Sequence, residues 1–117
     1  MKYVDSFVMP VSKSSVTAYE KFAERMAALA KKHGALEYVN CISDDVKPGK
    51  ETSYPQAVKL HEDEVVVQSW AVYASRADRD RANKAMMEDE DFKKLSAHVP
   101  VDGRRMFTGG FKVLRGI

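Results

Sequence analysis

The sequence predicts an α+β domain of ferredoxin-like type, a four-stranded antiparallel sheet with two helices on one face. Three observations predict it. Segments rich in β-branched and aromatic residues alternate with helix-period segments in the order strand, helix, strand, strand, helix, strand, which is the order of two split β-α-β units. Turn chemistry separates them at Gly34, Pro48–Gly49 and Asp102–Gly103. The 117 residues, 44% hydrophobic and 31% charged, suit one globular core and a single domain over 1–117.

The first strand runs from Tyr3 to Val11, with Pro10 near its boundary. Ser14 and Ser15 offer N-caps, and Thr17 with Glu20 repeats the capping-box spacing. Val16, Tyr19, Phe22, Ala23, Met26, Leu29 and Ala30 then recur with helical period. Lys31, Lys32 and His33 complement the helix dipole, and Gly34 stops the helix. Leu36 to Ser43 reads as the second strand, followed by a polar stretch, 44–51. Between Ser53 and Leu60 the pattern is ambiguous, with Tyr54–Pro55 able to open one helical turn. The third strand, Glu64 to Ala74, is the strongest. Ser75 caps the second helix, to about Met87, and Glu88 to Leu95 can add a short turn. Arg105 to Leu114 closes the fold as a strand.

The faces of the third strand are informative. Val65, Val67, Ser69, Ala71 and Tyr73 point one way, and Val66, Gln68, Trp70, Val72 and Ala74 point the other. Both sets are largely apolar, yet two helices cover only one face of such a sheet. The economical cover for the second face is the same face of another copy, so a homodimer is expected.

Bulk properties exclude several classes. The net charge is +2, from 19 basic and 17 acidic residues, with the signs interspersed, so nucleic acid is not expected as a partner. Cys41 is the only cysteine, which rules out an intramolecular disulfide or a Cys-based zinc site. No apolar stretch approaches the ~20 residues of a membrane span, and MKYVDSFV lacks signal-peptide character. The expectation is a reduced, cytoplasmic protein that does not engage a membrane.

Four blocks, YVDSFVMPV, GALEYVNCISDDVKPGKETSYPQAVKL, SWAVYASRADRDRAN and DGRRMFTGGFKV, together resemble a bacterial family of unknown function that contains the enterobacterial YbaA proteins. The resemblance runs through nearly the whole chain in matching order. It implies the dimeric α/β-barrel superfamily, which also holds cofactor-free quinone-forming monooxygenases, muconolactone isomerase-like enzymes, haem-binding chlorite dismutase-like proteins and ligand-sensing modules. It implies no catalytic residue.

The residues themselves nominate a few candidates. Asp5 shares its face with Tyr3, Phe7 and Met9, and a carboxylate there is either paired or shifted toward general-base behaviour. If it is paired, Asp5→Asn should destabilise the fold. Arg79 and Asn83 share a face of the second helix with Arg76, beside a stripe of mostly small residues, Ala82, Ala85 and Met86, and can orient an anionic or carbonyl-bearing ligand. The alternative is a solvated face with pairs such as Arg76–Asp80. Trp70 is a candidate stacking wall or simply packing. Gly109–Gly110 permits a bulge or close backbone approach at a dimer contact or loop crossing. His33, His61 and His98 are scattered without metal-ligand spacing, so no metal and no cofactor is expected.

The reading is therefore a homodimer that binds a small organic molecule between sheet and helices. As an enzyme it would oxidise or isomerise an aromatic or enolisable substrate without a cofactor. Asp5 would be the catalytic base, Arg79 and Asn83 the orienting groups, and Trp70 the stacking wall. The alternative is a non-enzymatic stress or interaction protein that binds a macromolecule.

Overall fold

The structure is a computed structural model that describes residues 1–116. Strand β1 spans Tyr3–Ser12, helix α1 Val16–Lys32, strand β2 Glu37–Ile42 and the single turn α2 Tyr54–Ala57. Strand β3 spans Glu64–Tyr73, helix α3 Arg76–Glu88, helix α4 Glu90–Ser96 and strand β4 Phe107–Lys112. The strands form one antiparallel sheet in the order β2-β3-β1-β4, the ferredoxin-like arrangement that the element order predicts.

Local chemistry explains most boundaries. Ser75 caps α3 with a reciprocal pair of bonds: its hydroxyl accepts from the Asp78 N–H at 3.1 Å and donates to Asp78 Oδ2 at 3.0 Å. Asp89 ends α3 and caps α4, accepting from the Asp91 N–H at 2.8 Å. The start of α1 differs from expectation. A 3-10 turn over Lys13–Ser15 feeds straight into the helix, so Ser15 makes no side-chain cap and Thr17 lies inside the first turn. The last strand is also shorter than its sequence suggests. Arg105 is held outside it, because Nη1 and Nη2 each donate to a Glu64 carboxylate oxygen at 2.7 Å while Nε donates to Asp102 at 3.0 Å.

The helix-facing side carries the core. Met9, Val11, Tyr19, Ala23 and Val67 form one buried cluster under α1. Ala30, Ala35, Ala71, Tyr73 and Ala82 form a second where α1 and α3 meet the sheet. Burying large side chains of this kind contributes about 1.5–3 kcal/mol each.

The other face is covered in part by the chain's own β2–β3 connection, which the parity argument did not anticipate. Val58, fully buried, packs with Val8 and Val66, and Leu60 leans on them. Arg105 anchors this connection by donating to the Lys59 carbonyl at 3.2 Å. The remaining half of the face stays open. It carries Val4, Ser6, Trp70 and Val72, only partly buried, together with exposed Phe111 and Phe107 from β4.

Candidate functional site

The sheet register sets which side chains share the layer between strands and helices. Asp5 pairs with Ala71 of β3 on one side and with Gly110 of β4 on the other. It is 6% exposed and lies beneath α3, which brings Arg79 and Asn83 to it. Arg79 Nη1 stands 3.5 Å from Asp5 Oδ1, and Nη2 donates to the Tyr3 hydroxyl at 3.0 Å. Arg79 Nε lies 3.1 Å from Asp80 Oδ1 but out of line, and remains a buried donor without a hydrogen bond. Burial pushes the Asp5 carboxyl above its usual range; the Arg79 guanidinium and a hydrogen bond from Asn83 offset this only in part. Outside this cluster, Arg76 reaches Asp80 at 3.8 Å on the exposed side of α3.

Gly110 belongs to the same cluster. A Cβ there would stand 2.8 Å from Tyr3 Cε2 and 2.9 Å from Arg79 Nη2. The glycine therefore makes room for this chain's own Tyr3 and Arg79, a close approach of the kind the glycine pair permits.

Trp70 is placed apart from the other candidates. Even-numbered β3 residues face away from the helices, so its ring lies on the open side of the sheet, where Nε1 donates to Glu37 Oε1 at 3.3 Å. A stacking wall beside Asp5, Arg79 and Asn83 is excluded by the pleat. Tyr73, of opposite parity, is buried under the helices.

The space in this layer lies elsewhere, between α1 and the β2 edge. A cleft of about 220 Å³ is walled by Val11, Val16, Ala23, Ile42 and Val67, with Tyr19 and Asn40 as its inner polar groups. The Tyr19 hydroxyl donates to Asn40 Oδ1 at 2.6 Å, which leaves the Asn40 NH₂ as a donor at the cleft wall. Burial pushes the Tyr19 phenol up to about 12, with a hydrogen bond from Ser69 opposing it. The group is therefore neutral at physiological pH and a fixed donor rather than a base. Asp5, Arg79 and Asn83 do not line this cleft.

Sequence reasoning missed Tyr19 and Asn40. Tyr19 reads as one more apolar position of α1. Asn40 carried the usable signal: it sits between Tyr38 and Ile42 on the helix-facing parity of β2, where a half-buried amide needs a partner.

Comparisons with known proteins agree with this fold. A family described as "Protein of unknown function (DUF1428)" matches residues 2–103. The chain is 46% identical over 112 residues to the uncharacterised protein YbaA of Escherichia coli K12, covering 96% of each. Among solved structures it is similar to SnoaB of Streptomyces nogalater, a cofactor-independent oxygenase, with TM-score 0.64 and 13% identity over 99% of this chain and 96% of that one. It is also similar to a dimeric ferredoxin-like protein of unknown function from Jannaschia sp. CCS1, with TM-score 0.62 and 10% identity over 95% and 99% of the two chains. With its fold, its sequence match across most of its length and its relatives in agreement, the chain belongs to the DUF1428 family.

Proposed function

We propose that this protein is a homodimer that binds a small planar organic molecule in the cleft between α1 and β2. One observation carries the reading: the Tyr19–Asn40 pair presents an oriented amide donor in a mainly apolar recess, whose other polar side chains are Cys41 and the exposed Glu20. Apolar walls with a few convergent polar groups are the usual makeup of a ligand pocket. A donor of this kind suits a ketone, enolate or phenolate oxygen, and it grows in value as negative charge develops there. Cofactor-free oxidation or isomerisation of an enolisable or phenolic compound is the chemistry that fits, and SnoaB, similar in fold, is a cofactor-independent oxygenase.

In this reading Arg79 holds α3 onto the sheet through Tyr3, and Asp5 and Asn83 pack beside it rather than act on the ligand. The open half of the sheet, with Trp70, Val72, Phe107 and Phe111, meets the same surface of a second copy. Support comes from the exposed aromatic residues and from neighbours in fold that are dimeric ferredoxin-like proteins.

A thermal-shift panel of aromatic ketones, phenols and matched hydrocarbons tests the binding. Oxygen-bearing compounds should raise the midpoint, and Asn40→Ala should remove the gain. Equal gains from the hydrocarbons, or gains that survive Asn40→Ala, would refute the role given to the amide.

A further inference from the structure

A second recess lies on the outer side of the helical layer, between α1 and α4. It measures about 670 Å³, within the range of roughly 300–1,000 Å³ usual for small-molecule sites. Ala18, Phe22 and Leu29, spaced along one stripe of α1, form its floor with Leu95 and Pro100. Lys21, Arg25, Lys94 and His98 stand along its rim, opposed by one carboxylate, Asp91.

Unpaired cations occur elsewhere on the surface, Lys31, Lys47 and Lys84 among them, but here three of them, Lys21, Arg25 and Lys94, ring one apolar floor. Arg76, Arg79, Arg81, Arg104, Arg105, Lys32 and Lys93 are all in ion pairs. Lys21, Arg25, Lys94 and His98 take part in none of the ion pairs found among the described residues. An apolar floor beneath unpaired cations is complementary to a molecule with an apolar body and an anionic head. The small side chains of Ala18 and Ala28 leave the floor recessed rather than raised, so a single molecule fits it better than a membrane surface, which needs protruding apolar groups.

We propose that this groove is a ligand site for a single-tailed carboxylate amphiphile. Its chain lies along Phe22, Leu29 and Leu95, and its head is taken by Arg25 and Lys21, where the planar guanidinium matches a carboxylate in two-point contact. The site is separate from the α1–β2 cleft and does not depend on it: α1 presents Tyr19 and Ala23 to the cleft and Phe22 and Arg25 to the groove.

Isothermal titration with octanoate, beside 1-octanol as the uncharged counterpart, tests the proposal. Octanoate should bind saturably, and octanol should bind at least about tenfold more weakly, the loss expected when a charge-assisted contact is removed. The double variant Lys21→Glu/Arg25→Glu should weaken octanoate by a similar factor, and Ala28→Trp should abolish binding by filling the groove. All these positions are exposed, and a circular dichroism melt establishes that each variant is folded. No saturable octanoate binding to the native protein, equal affinity for octanol, or full affinity in folded Lys21→Glu/Arg25→Glu would each overturn the proposal.

Discussion

The Arg79 guanidinium lies 4.7 Å from the centre of the Tyr3 ring while its Nη2 donates to the hydroxyl of the same residue. Tyr3 is thus bound through its face and through its oxygen by one side chain from α3, and the strand that carries it is pinned to that helix. The geometry is possible because β4 runs past with a glycine.

Gly110→Ala should therefore destabilise the fold, since the new methyl meets a buried ring already held by Arg79. Overpacking of this kind costs about 1–3 kcal/mol, which is several degrees in the thermal midpoint of a domain this size. Gly109→Ala is the control: its Cβ would meet only the exposed Phe111 ring, at 3.3 Å, and that ring can move. Equal losses at the two positions would contradict the packing account.

Asp5 and Arg79 should respond unequally to substitution. Burial outweighs the arginine's attraction, so ionised Asp5 is held at a net cost. Its native pKa is raised, so the native state holds this proton more tightly than the unfolded chain does. The corresponding stability is present at low pH and declines as pH rises through the native value. Asp5 is paired with Arg79, but burial outweighs that pairing and Arg79 keeps Tyr3 and Asp80. Asp5→Asn should therefore leave the midpoint at neutral pH unchanged or slightly higher, instead of lowering it as pairing alone implies. Arg79→Met leaves Asp5 buried without its cation and should cost about 3–5 kcal/mol, most of it recovered in the double variant. Denaturant titration at pH 7 measures all three, and an Asp5→Asn loss as large as that of Arg79→Met would contradict this ordering.

Acid stability should report on Glu64. Its two hydrogen bonds from Arg105 hold the carboxyl at about 2, below its ordinary 4.5. The stabilisation is complete above pH 4.5 and disappears as pH falls toward 2. Glu64→Gln should be less stable at neutral pH and should lack this part of the acid loss. Asp89, held low mainly by His33 and Lys32, would leave a residual slope. Melting curves from pH 6 to pH 2 that run parallel for the two proteins would refute the assignment.

The open half of the sheet should set the oligomeric state. Light scattering after size exclusion should give a dimer for the native chain and a monomer for Phe111→Glu, which puts a charge among Val4, Trp70 and Val72. An interface that uses this surface should bury about 2,000 Å² in total, as obligate homodimers do. A native chain that stays monomeric at high micromolar concentration would contradict it.

The element order and the apolar stripe of α1 were legible in the sequence because they rest on periodicity, and parity sorted β1 and β3 into two faces without saying which one the helices cover. The closeness of Asp5 to Arg79 and Asn83 was legible only as two separate anomalies, a carboxylate on an apolar face and a polar pair on a helix. What escaped was everything set by chain crossing. The β2–β3 connection looks polar, yet it buries Val58 over half of the supposedly bare face. The parity rule puts Trp70 opposite Tyr73, but which of the two faces the helices is decided by where α1 and α3 pack. The cleft escaped because Tyr19 and Asn40 are 21 positions apart and only the crossing of α1 over β2 brings them together.

The central claim, ligand binding at the Tyr19–Asn40 cleft, is tested most directly by amide chemical-shift mapping in ¹H–¹⁵N NMR spectra with an aromatic ketone added. The account predicts saturable shifts at Val16, Tyr19, Ala23, Cys41 and Ile42 and in the Asn40 side-chain NH₂, absent in Asn40→Ala. Shifts confined to the α1–α4 groove or to the open sheet face, or no saturable shift from a panel of such ketones and phenols, would contradict it.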